Sequence, residues 1–311
     1  MEKIDMKKYT DIIVTVFLLF CIPVMLTAQG KIKTMIVTGQ DNSHWWEGGS
    51  DAIQMILDNS DLFTVDIHKT PDWGEDIKTY NPDFKKYDLV IINYAGNTWS
   101  ESTRKNFEEY VSNGGGVVIV HSAITRMADW KAYNEMVGMA GWNGRNEKSG
   151  SYIYWKDGHV VYDDTPGSAG NHGLQHQSTI THRITDHPIL KDLPSVWTHF
   201  KDEVYVRMRG PGKNMEILAT TYEDMGNNLG KQHVPVLWTV RYGKGRVFVT
   251  LLGHAGNDPK LRYSMECAGF QITLLRGSEW AATGKVVQKA PEDFPREGII
   301  SLRKEFTERQ R

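Results

Sequence analysis

Short apolar runs alternate with helical patterns through the first half of the chain, and this alternation restricts the fold more than any other feature. Apolar residues recur at helical spacing in 47–57, and a second helical segment follows Thr98 and extends to residue 111. The runs predicted as buried strands cover residues 33–38, 62–67, 89–93 and 117–120. Strand–helix–strand units with short links form parallel sheets through right-handed crossovers. We therefore predict an α/β fold with a doubly wound, mostly parallel sheet and helices on both faces.

The second half of the chain completes this domain. We predict strands at 204–209, 216–221, 236–241 and 246–252, with a hairpin turn at 242–245 and a closing helix at 261–275. Residues 133–187 show little periodicity apart from two short strands at 151–155 and 159–162, and we interpret them as a loop-rich insertion that shapes a binding site. The expected organisation is one α/β domain at 31–280, followed by a polar tail at 281–311. The sequence does not give the order of the strands, and we take the flavodoxin-like order as the default.

The first 28 residues have the composition of a secretory signal peptide. Three lysines precede an apolar run from Ile12 to Leu26, and a small residue, Ala28, stands at the expected cleavage site. The run is shorter than the roughly 20 residues that span a bilayer, and it contains Pro23. We therefore expect export to the periplasm or the extracellular space, with no membrane insertion after the segment is removed.

The net charge restricts the classes of binding partner, and the cysteine content restricts the possible disulfide bonds. The chain has a net charge of -2, and removing residues 1–28 takes away three basic and three acidic residues, so the balance is unchanged. Nothing in it indicates nucleic acid or an anionic membrane as a partner. Only Cys267 remains after removal of the leader, so we expect no internal disulfide. The oligomeric state is left open.

Polar and aromatic residues follow four of the predicted strands at their carboxyl ends. In a doubly wound sheet these ends meet at one edge, where ligands bind. We therefore take these residues as the candidate site: Gln40, Asp41, Asn42, His44, Trp45, Tyr94, Asn97, Trp99, His121, Ser122, His254, Asn257 and Asp258. Tryptophans such as Trp45 and Trp99 suit sugar rings, which stack on indoles, although packing is the commoner role of any one tryptophan.

Several chemistries remain open at this edge. His121 and His254 follow apolar strands, and histidine there is a proton carrier, a metal ligand or a structural hydrogen-bond partner. Asp202 and Glu203 offer paired carboxylates for acid–base work, or a simple strand-entry turn. Ser122 lacks the G-x-S-x-G context of a serine nucleophile. No motif fixes a metal site, but a divalent metal such as Zn²⁺ has two candidate sets of ligands: His44, His121 and His254, or His172, His176, His182 and His187.

Four motifs in this order resemble the ThuA-like family across about residues 31–280. They are Gly114-Gly115-Gly116-x4-His121-Ser122-Ala123; His182-x4-His187-Pro188; Asp202-Glu203-x-Tyr205; and Pro235-x2-Trp238 with Gly243-x-Gly-Arg246 and Gly253-His254. The resemblance implies a class I glutamine amidotransferase-like fold. It also implies a role in the use of trehalose and related disaccharides, including 3-keto-sugar metabolism.

The resemblance places His121 where amidotransferases carry their nucleophilic cysteine, which excludes cysteine-based glutaminase chemistry. We therefore expect a carbohydrate-active enzyme with a small-molecule carbohydrate as its partner. His121 or His254 would act as base, with Asp202 or Glu203 as acid or orienting group. A sugar-binding module without catalysis and a metal-dependent esterase or amidase are the alternatives.

Overall fold

The apolar runs of the first half form the parallel half of a central sheet. The computed structural model describes residues 30–41, 43–224, 231–256 and 263–304. The predicted leader at 1–28, together with Asn42, Asn257 and Asp258, lies outside the described residues. The strands are β1 (Ile32–Thr38), β2 (Phe63–Lys69), β3 (Leu89–Ile92), β4 (Gly116–Val120), β5 (Ser151–Lys156), β6 (His159–Asp163), β7 (Asn171–His172), β8 (His176–His182), β9 (Val196–Asp202), β10 (Tyr205–Val206), β11 (Arg209–Gly210), β12 (Met215–Asp224), β13 (Lys231–Tyr242) and β14 (Gly245–Thr250).

Five helices of the described chain pack around this sheet. They are α1 (Trp46–Asp58), α2 (Glu101–Ser112), α3 (Lys131–Val137), α4 (Tyr263–Glu266) and α5 (Ala268–Thr283). α1 packs against β1 and β2, and α5 packs against β3, β4 and β14. Every residue of β3 and β4 is buried, as expected for parallel strands whose two faces are covered. No helix in the described part of the chain is long and apolar enough to cross a membrane.

The strand order confirms the predicted doubly wound α/β class. Strands β2, β1, β3, β4 and β14 are adjacent and parallel, which is the flavodoxin-like order. From β1 the chain continues to β2 on one side of β1, whereas β3, β4 and β14 lie on its other side. The direction in which successive strands are added therefore reverses between β1 and β3. The carboxyl ends of β1, β4 and β14 consequently open onto the same edge.

The sheet continues beyond β14 as an antiparallel extension of β13, β12, β8 and β9. The turn predicted at 242–245 joins β13 and β14, and the two short strands predicted near 151 and 159 are confirmed as the hairpin of β5 and β6. The segment 133–187 is more regular than predicted, because β8 belongs to the main sheet. The buried face of β8 carries the polar residues Ser178 and His182 on either side of Ile180. The alternation of buried and exposed residues in this strand is therefore not visible as an alternation of apolar and polar residues.

The chain that follows α5 returns to the start of that helix. Leu302 forms an isolated bridge with Cys267, and the main-chain N–H of Arg303 donates to the Glu266 carbonyl at 2.8 Å. Arg303 also forms an ion pair with Asp293. Cys267 is a free, buried thiol.

Candidate functional site

Three histidines and one glutamate converge at the carboxyl edge of the parallel strands. His44 follows β1, His121 follows β4 directly, His254 follows β14, and Glu203 follows β9. One ligand atom from each of the four side chains lies within 4.8 Å of the others. Glu203 Oε2 is 3.8 Å from Nε2 of both His44 and His121, and Oε1 is 4.0 Å from Nε2 of His254. These separations exceed hydrogen-bond length.

His121 occupies the turn where β4 ends and a single helical turn, His121–Ile124, begins. Its φ of 44° is in the left-handed region that side chains other than glycine rarely adopt. Its Nδ1–H donates to the Leu251 carbonyl at 2.5 Å, and its Nε2 accepts from the Tyr205 hydroxyl at 3.0 Å. A strained strand-to-helix turn is the position in which nucleophile elbows hold their reactive residue, and here it holds a buried imidazole.

His44 is held by a carboxylate on the side away from Glu203. Both oxygens of Asp41 lie 3.0 Å from Nδ1 of His44, and the Ser122 hydroxyl donates to Asp41 at 2.6 Å. Ser122 therefore orients Asp41, and Asp41 orients the ring. This arrangement leaves the Ser122 oxygen committed to a neighbour, which fits the missing serine-nucleophile motif.

Asp202 and Glu203 are adjacent in sequence, but Asp202 is buried in a hydrogen-bond network whereas Glu203 lines the cleft. Asp202 is fully buried and accepts from the main-chain N–H groups of Gly253 at 3.0 Å and His254 at 3.3 Å. It also contacts Nε2 of His199 at 2.8 Å and accepts from the Ser264 hydroxyl. Asp202 thus fixes the loop that carries His254, and only Glu203 faces the cleft.

The pKa values of His44 and His254, two neighbouring histidines, are shifted in opposite directions. Burial disfavours charge on His44, but the hydrogen bond to Asp41 and the nearby Glu203 outweigh it and raise the pKa of His44 to about 9. Burial, together with the neighbouring His121 ring, lowers the pKa of His254 to about 4. Burial alone would raise the pKa of Glu203, but the adjacent His121 and His44 hold it well below its usual range. The cluster therefore combines an ionised carboxylate with imidazoles of unlike basicity.

A cleft of about 400 Å³ opens above this cluster. Its size is within the range of small-molecule sites. Trp142 packs edge-on against Tyr205 with ring centroids 4.6 Å apart, and Nδ1 of His172 lies 3.3 Å from Glu203 Oε1. The residues that line the cleft are Asp41, Ser43, His44, Ala95, Thr125, Arg126, Trp142, Asn143, His172, Glu203, Tyr205 and His254.

The other predicted site residues lie beside the cleft rather than in it. Gln40 is buried and joins two loops, because its amide donates to the Pro71 carbonyl at 2.6 Å and accepts from the main-chain N–H of Asn97 at 2.9 Å. Trp45 packs over Gly48 at the start of α1. Trp99 is only 2% exposed and contacts Phe84, Phe107 and Trp130. Neither tryptophan lines the cleft, so neither is placed to stack on a sugar there.

The alternative histidine set does not form a ligand group among the described residues. His176 pairs with Glu223 at 2.8 Å, His182 accepts from the Trp197 indole at 3.1 Å, and His187 packs beside Trp280. His172 is the member of that set that reaches the cleft. Trp142 and Arg126, which were not predicted for the site, come from segments without strand periodicity. Tyr205 was visible only as the last residue of the Asp202-Glu203-x-Tyr205 motif.

The fold and the strand-end cluster define a class I glutamine amidotransferase-like α/β protein in which a histidine occupies the strand-to-helix turn. The chain belongs to the ThuA family, whose model, described as trehalose utilisation, matches residues 33–281. A crystal structure of a ThuA-like protein from Parabacteroides merdae is similar, with 47% identity and a TM-score of 0.86, over 90% of this chain and all 100% of the other. A ThuA-like protein from Bacteroides uniformis shares the fold at 18% identity and a TM-score of 0.58, over 85% and 96% of the two chains. No curated protein matches this chain.

Proposed function

We propose that this protein is a carbohydrate-active enzyme that acts on a glycoside or its 3-keto derivative in the cleft above His121. One observation carries the proposal. The Nε2 atoms of His44, His121 and His254 all face the carboxylate of Glu203 at the base of a small-molecule cleft. The family description, trehalose utilisation, supports a sugar as the substrate class.

The walls of the cleft suit a sugar ring. Trp142 supplies aromatic surface for the C–H face of a pyranose, and Asp41, Arg126 and Asn143 supply hydrogen-bonding groups for its hydroxyls. This replaces Trp45 and Trp99 with Trp142 as the expected sugar platform.

The base of the cleft suits proton transfer. A keto group acidifies the neighbouring C–H bond, and an imidazole with a free nitrogen lone pair removes such a proton when it lies within hydrogen-bond reach. In the metal-free site His254 is the expected base, because it lines the cleft while the ring of His121 is buried against Tyr205. A bound divalent metal would recast both histidines as ligands. Glu203 is the expected orienting group, and Asp202 is expected to act only by holding the His254 loop.

The test is to incubate the protein without residues 1–28 with trehalose, sucrose and aryl glucosides, and with the 3-keto form of each, and to follow the sugars by NMR. We expect conversion of at least one substrate, and loss of about 100-fold or more of the rate in His254→Ala. His159→Ala, which removes an exposed imidazole on β6, is the matched control and should keep the rate. Saturable binding without conversion would contradict the enzyme and support the sugar-binding module. The absence of both binding and conversion would overturn both functions.

We further propose that the protein acts outside the cytoplasmic membrane, in the periplasm or beyond. The support is the basic start, the short apolar run and the small residue of the first 28 positions. Cell fractionation with N-terminal sequencing of the mature protein tests this. An uncleaved protein in the cytoplasmic fraction would contradict it.

A further inference from the structure

We propose that His44, His121, His254 and Glu203 bind one divalent first-row transition-metal ion, with Zn²⁺ as the expected occupant. The site stands on the arrangement of these side chains alone. Only its action on a sugar rests on the function proposed above.

The distances within the cluster suit a shared ion better than direct contacts. The three Nε2 atoms lie 3.8, 3.8 and 4.0 Å from the nearer Glu203 oxygen, beyond hydrogen-bond length. Two ligands of one tetrahedral Zn²⁺, each about 2.0–2.1 Å from the metal, are separated by about 3.4 Å. Glu203 would therefore have to approach each of the three rings by only about 0.4–0.6 Å to share one ion with it.

Each of the three rings has a partner on Nδ1 and turns Nε2 toward Glu203. Asp41 contacts Nδ1 of His44 at 3.0 Å, and the Leu251 carbonyl contacts Nδ1 of His121 at 2.5 Å. Metal-bound histidines almost always donate their other N–H to such an acceptor, which fixes the orientation of the ring. At His254 the neighbour of Nδ1 is the side-chain amide nitrogen of Gln175 at 3.1 Å, and this amide would have to turn over to present its oxygen to the ring.

The contacts of His121 point its Nε2 toward the site. Its Nδ1–H donates to the Leu251 carbonyl at 2.5 Å, and the Tyr205 hydroxyl lies 3.0 Å from Nε2. A metal ion would take the place of the Tyr205 hydrogen. The hydroxyl would then be free to turn toward a ligand in the cleft.

The donor set selects the class of metal. Three imidazoles and one carboxylate suit Zn²⁺ and its first-row neighbours, whereas Mg²⁺ and Ca²⁺ prefer oxygen ligands. His44, His254 and Glu203 line the cleft, so an ion held by them faces it. With four protein ligands in place, a fifth coordination position on that side would accept water or a sugar oxygen, and the ion would polarise a carbonyl bound there.

Metal binding is measured directly on the whole mature protein, purified without a histidine tag. We expect inductively coupled plasma analysis to find about one transition-metal equivalent per chain after loading with Zn²⁺ and gel filtration. Chelator treatment should remove it, and calorimetric titration of the stripped protein with Zn²⁺ should restore it. Mg²⁺ titrated in the same way should give no comparable heat. Less than about one-tenth of an equivalent with no Zn²⁺ heat would overturn the site.

Variants test the ligand assignment. His44→Ala and Glu203→Gln should each weaken Zn²⁺ binding by more than about 100-fold, whereas loss of the outer partner in Asp41→Asn should cost about 10–100-fold. His159→Ala should bind as the wild type does. Circular dichroism and thermal melting of each variant establish that it is folded. Unchanged Zn²⁺ affinity in folded His44→Ala and Glu203→Gln would overturn the assignment.

The two proposals fail in distinguishable ways. Stoichiometric Zn²⁺ binding without sugar conversion would support the metal site and contradict the enzymatic function. Sugar conversion that survives chelation in a protein without Zn²⁺ affinity would support the enzyme and overturn the metal site.

Discussion

His121 and Leu251 are joined by a hydrogen bond of 2.5 Å from the ring Nδ1–H to the main-chain carbonyl. The bond links the ends of two adjacent parallel strands, β4 and β14, at positions that are 130 residues apart in the sequence. It commits the Nδ1–H of His121 to the Leu251 carbonyl, so Nε2 is the ring nitrogen that faces Tyr205 and Glu203. The orientation of the His121 ring therefore depends on the pairing of β4 with β14 as well as on the residues of the site.

We predict that His121→Asn keeps the fold and removes most of the activity. Asparagine tolerates a positive φ better than most residues, so the turn after β4 should survive. The variant lacks the imidazole, and loss of a group that transfers a proton or binds a metal should lower the rate by about 100-fold or more. Thermal melting and sugar conversion, measured on the same preparation, check this. Wild-type activity in the folded variant would contradict the assigned site.

Asp202 and Glu203 should separate into a stability residue and an activity residue. Asp202→Asn leaves His199 without its carboxylate partner in a fully buried network, and breaking such a pair costs about 3–5 kcal/mol. Glu203→Gln changes a cleft residue and should alter stability much less while lowering sugar conversion. Urea denaturation and rate measurements on both variants check the contrast. The opposite pattern would make Asp202 the functional carboxylate.

Acid should destabilise the protein through His182. Burial lowers the pKa of this imidazole to about 4 from an ordinary value of 6.5. The unfolded chain therefore binds a proton that the folded chain does not, and stability falls as the pH drops below 6.5 toward 4. Between pH 7.5 and pH 5 this histidine should cost about 2 kcal/mol.

His182→Gln isolates that contribution, because glutamine can still accept from the Trp197 indole but does not titrate. The loss of unfolding free energy between pH 7.5 and pH 5 should be smaller in the variant by about 2 kcal/mol. The exposed His159→Gln should leave the wild-type pH dependence intact. Equal pH dependence in wild type and His182→Gln would show that the buried ring is protonated in the folded state.

Trp142→Ala should weaken sugar binding without abolishing conversion. The indole lies on the cleft wall against Tyr205, and an aromatic contact contributes about 0.5–1.5 kcal/mol. We expect the sugar dissociation constant, or KM, to rise about two- to tenfold with little change in kcat. Trp73→Ala is the matched control, because Trp73 is exposed and does not line the cleft. An unchanged KM would remove Trp142 as the platform.

The parallel strands of the first half and the positions of three of the four cluster residues follow from the sequence for a simple reason. A buried parallel strand is a continuous apolar run, and the polar residue that ends it must lie at the ligand-binding edge. His44, His121 and His254 satisfy this rule. Trp99 satisfies it too, yet it is buried in an aromatic cluster, because the rule places a residue at an edge without giving the direction of its side chain.

The remaining part of the site depends on contacts that no local pattern encodes. Trp142 and His172 belong to an irregular segment, and their positions follow from pairing with strands far along the chain. The sequence suggests that Asp202 and Glu203 act as paired carboxylates, although the side chains of two consecutive residues face different surroundings. Burial of Asp202 under the His254 loop becomes visible only when β9 and the end of β14 are brought together.

The two-residue pairing of β7 with β10 joins His172 to Tyr205. The segment 133–187 thereby reaches the cleft through Trp142, Asn143 and His172, while the reactive cluster is built from strand ends elsewhere in the chain. The wall of the cleft and the cluster at its base are consequently encoded in different stretches of sequence. Because β8 of the main sheet lies inside 133–187, substitutions at Trp142 or Asn143, rather than exchange of the whole segment, are the direct route to redirect the proposed substrate range of this scaffold.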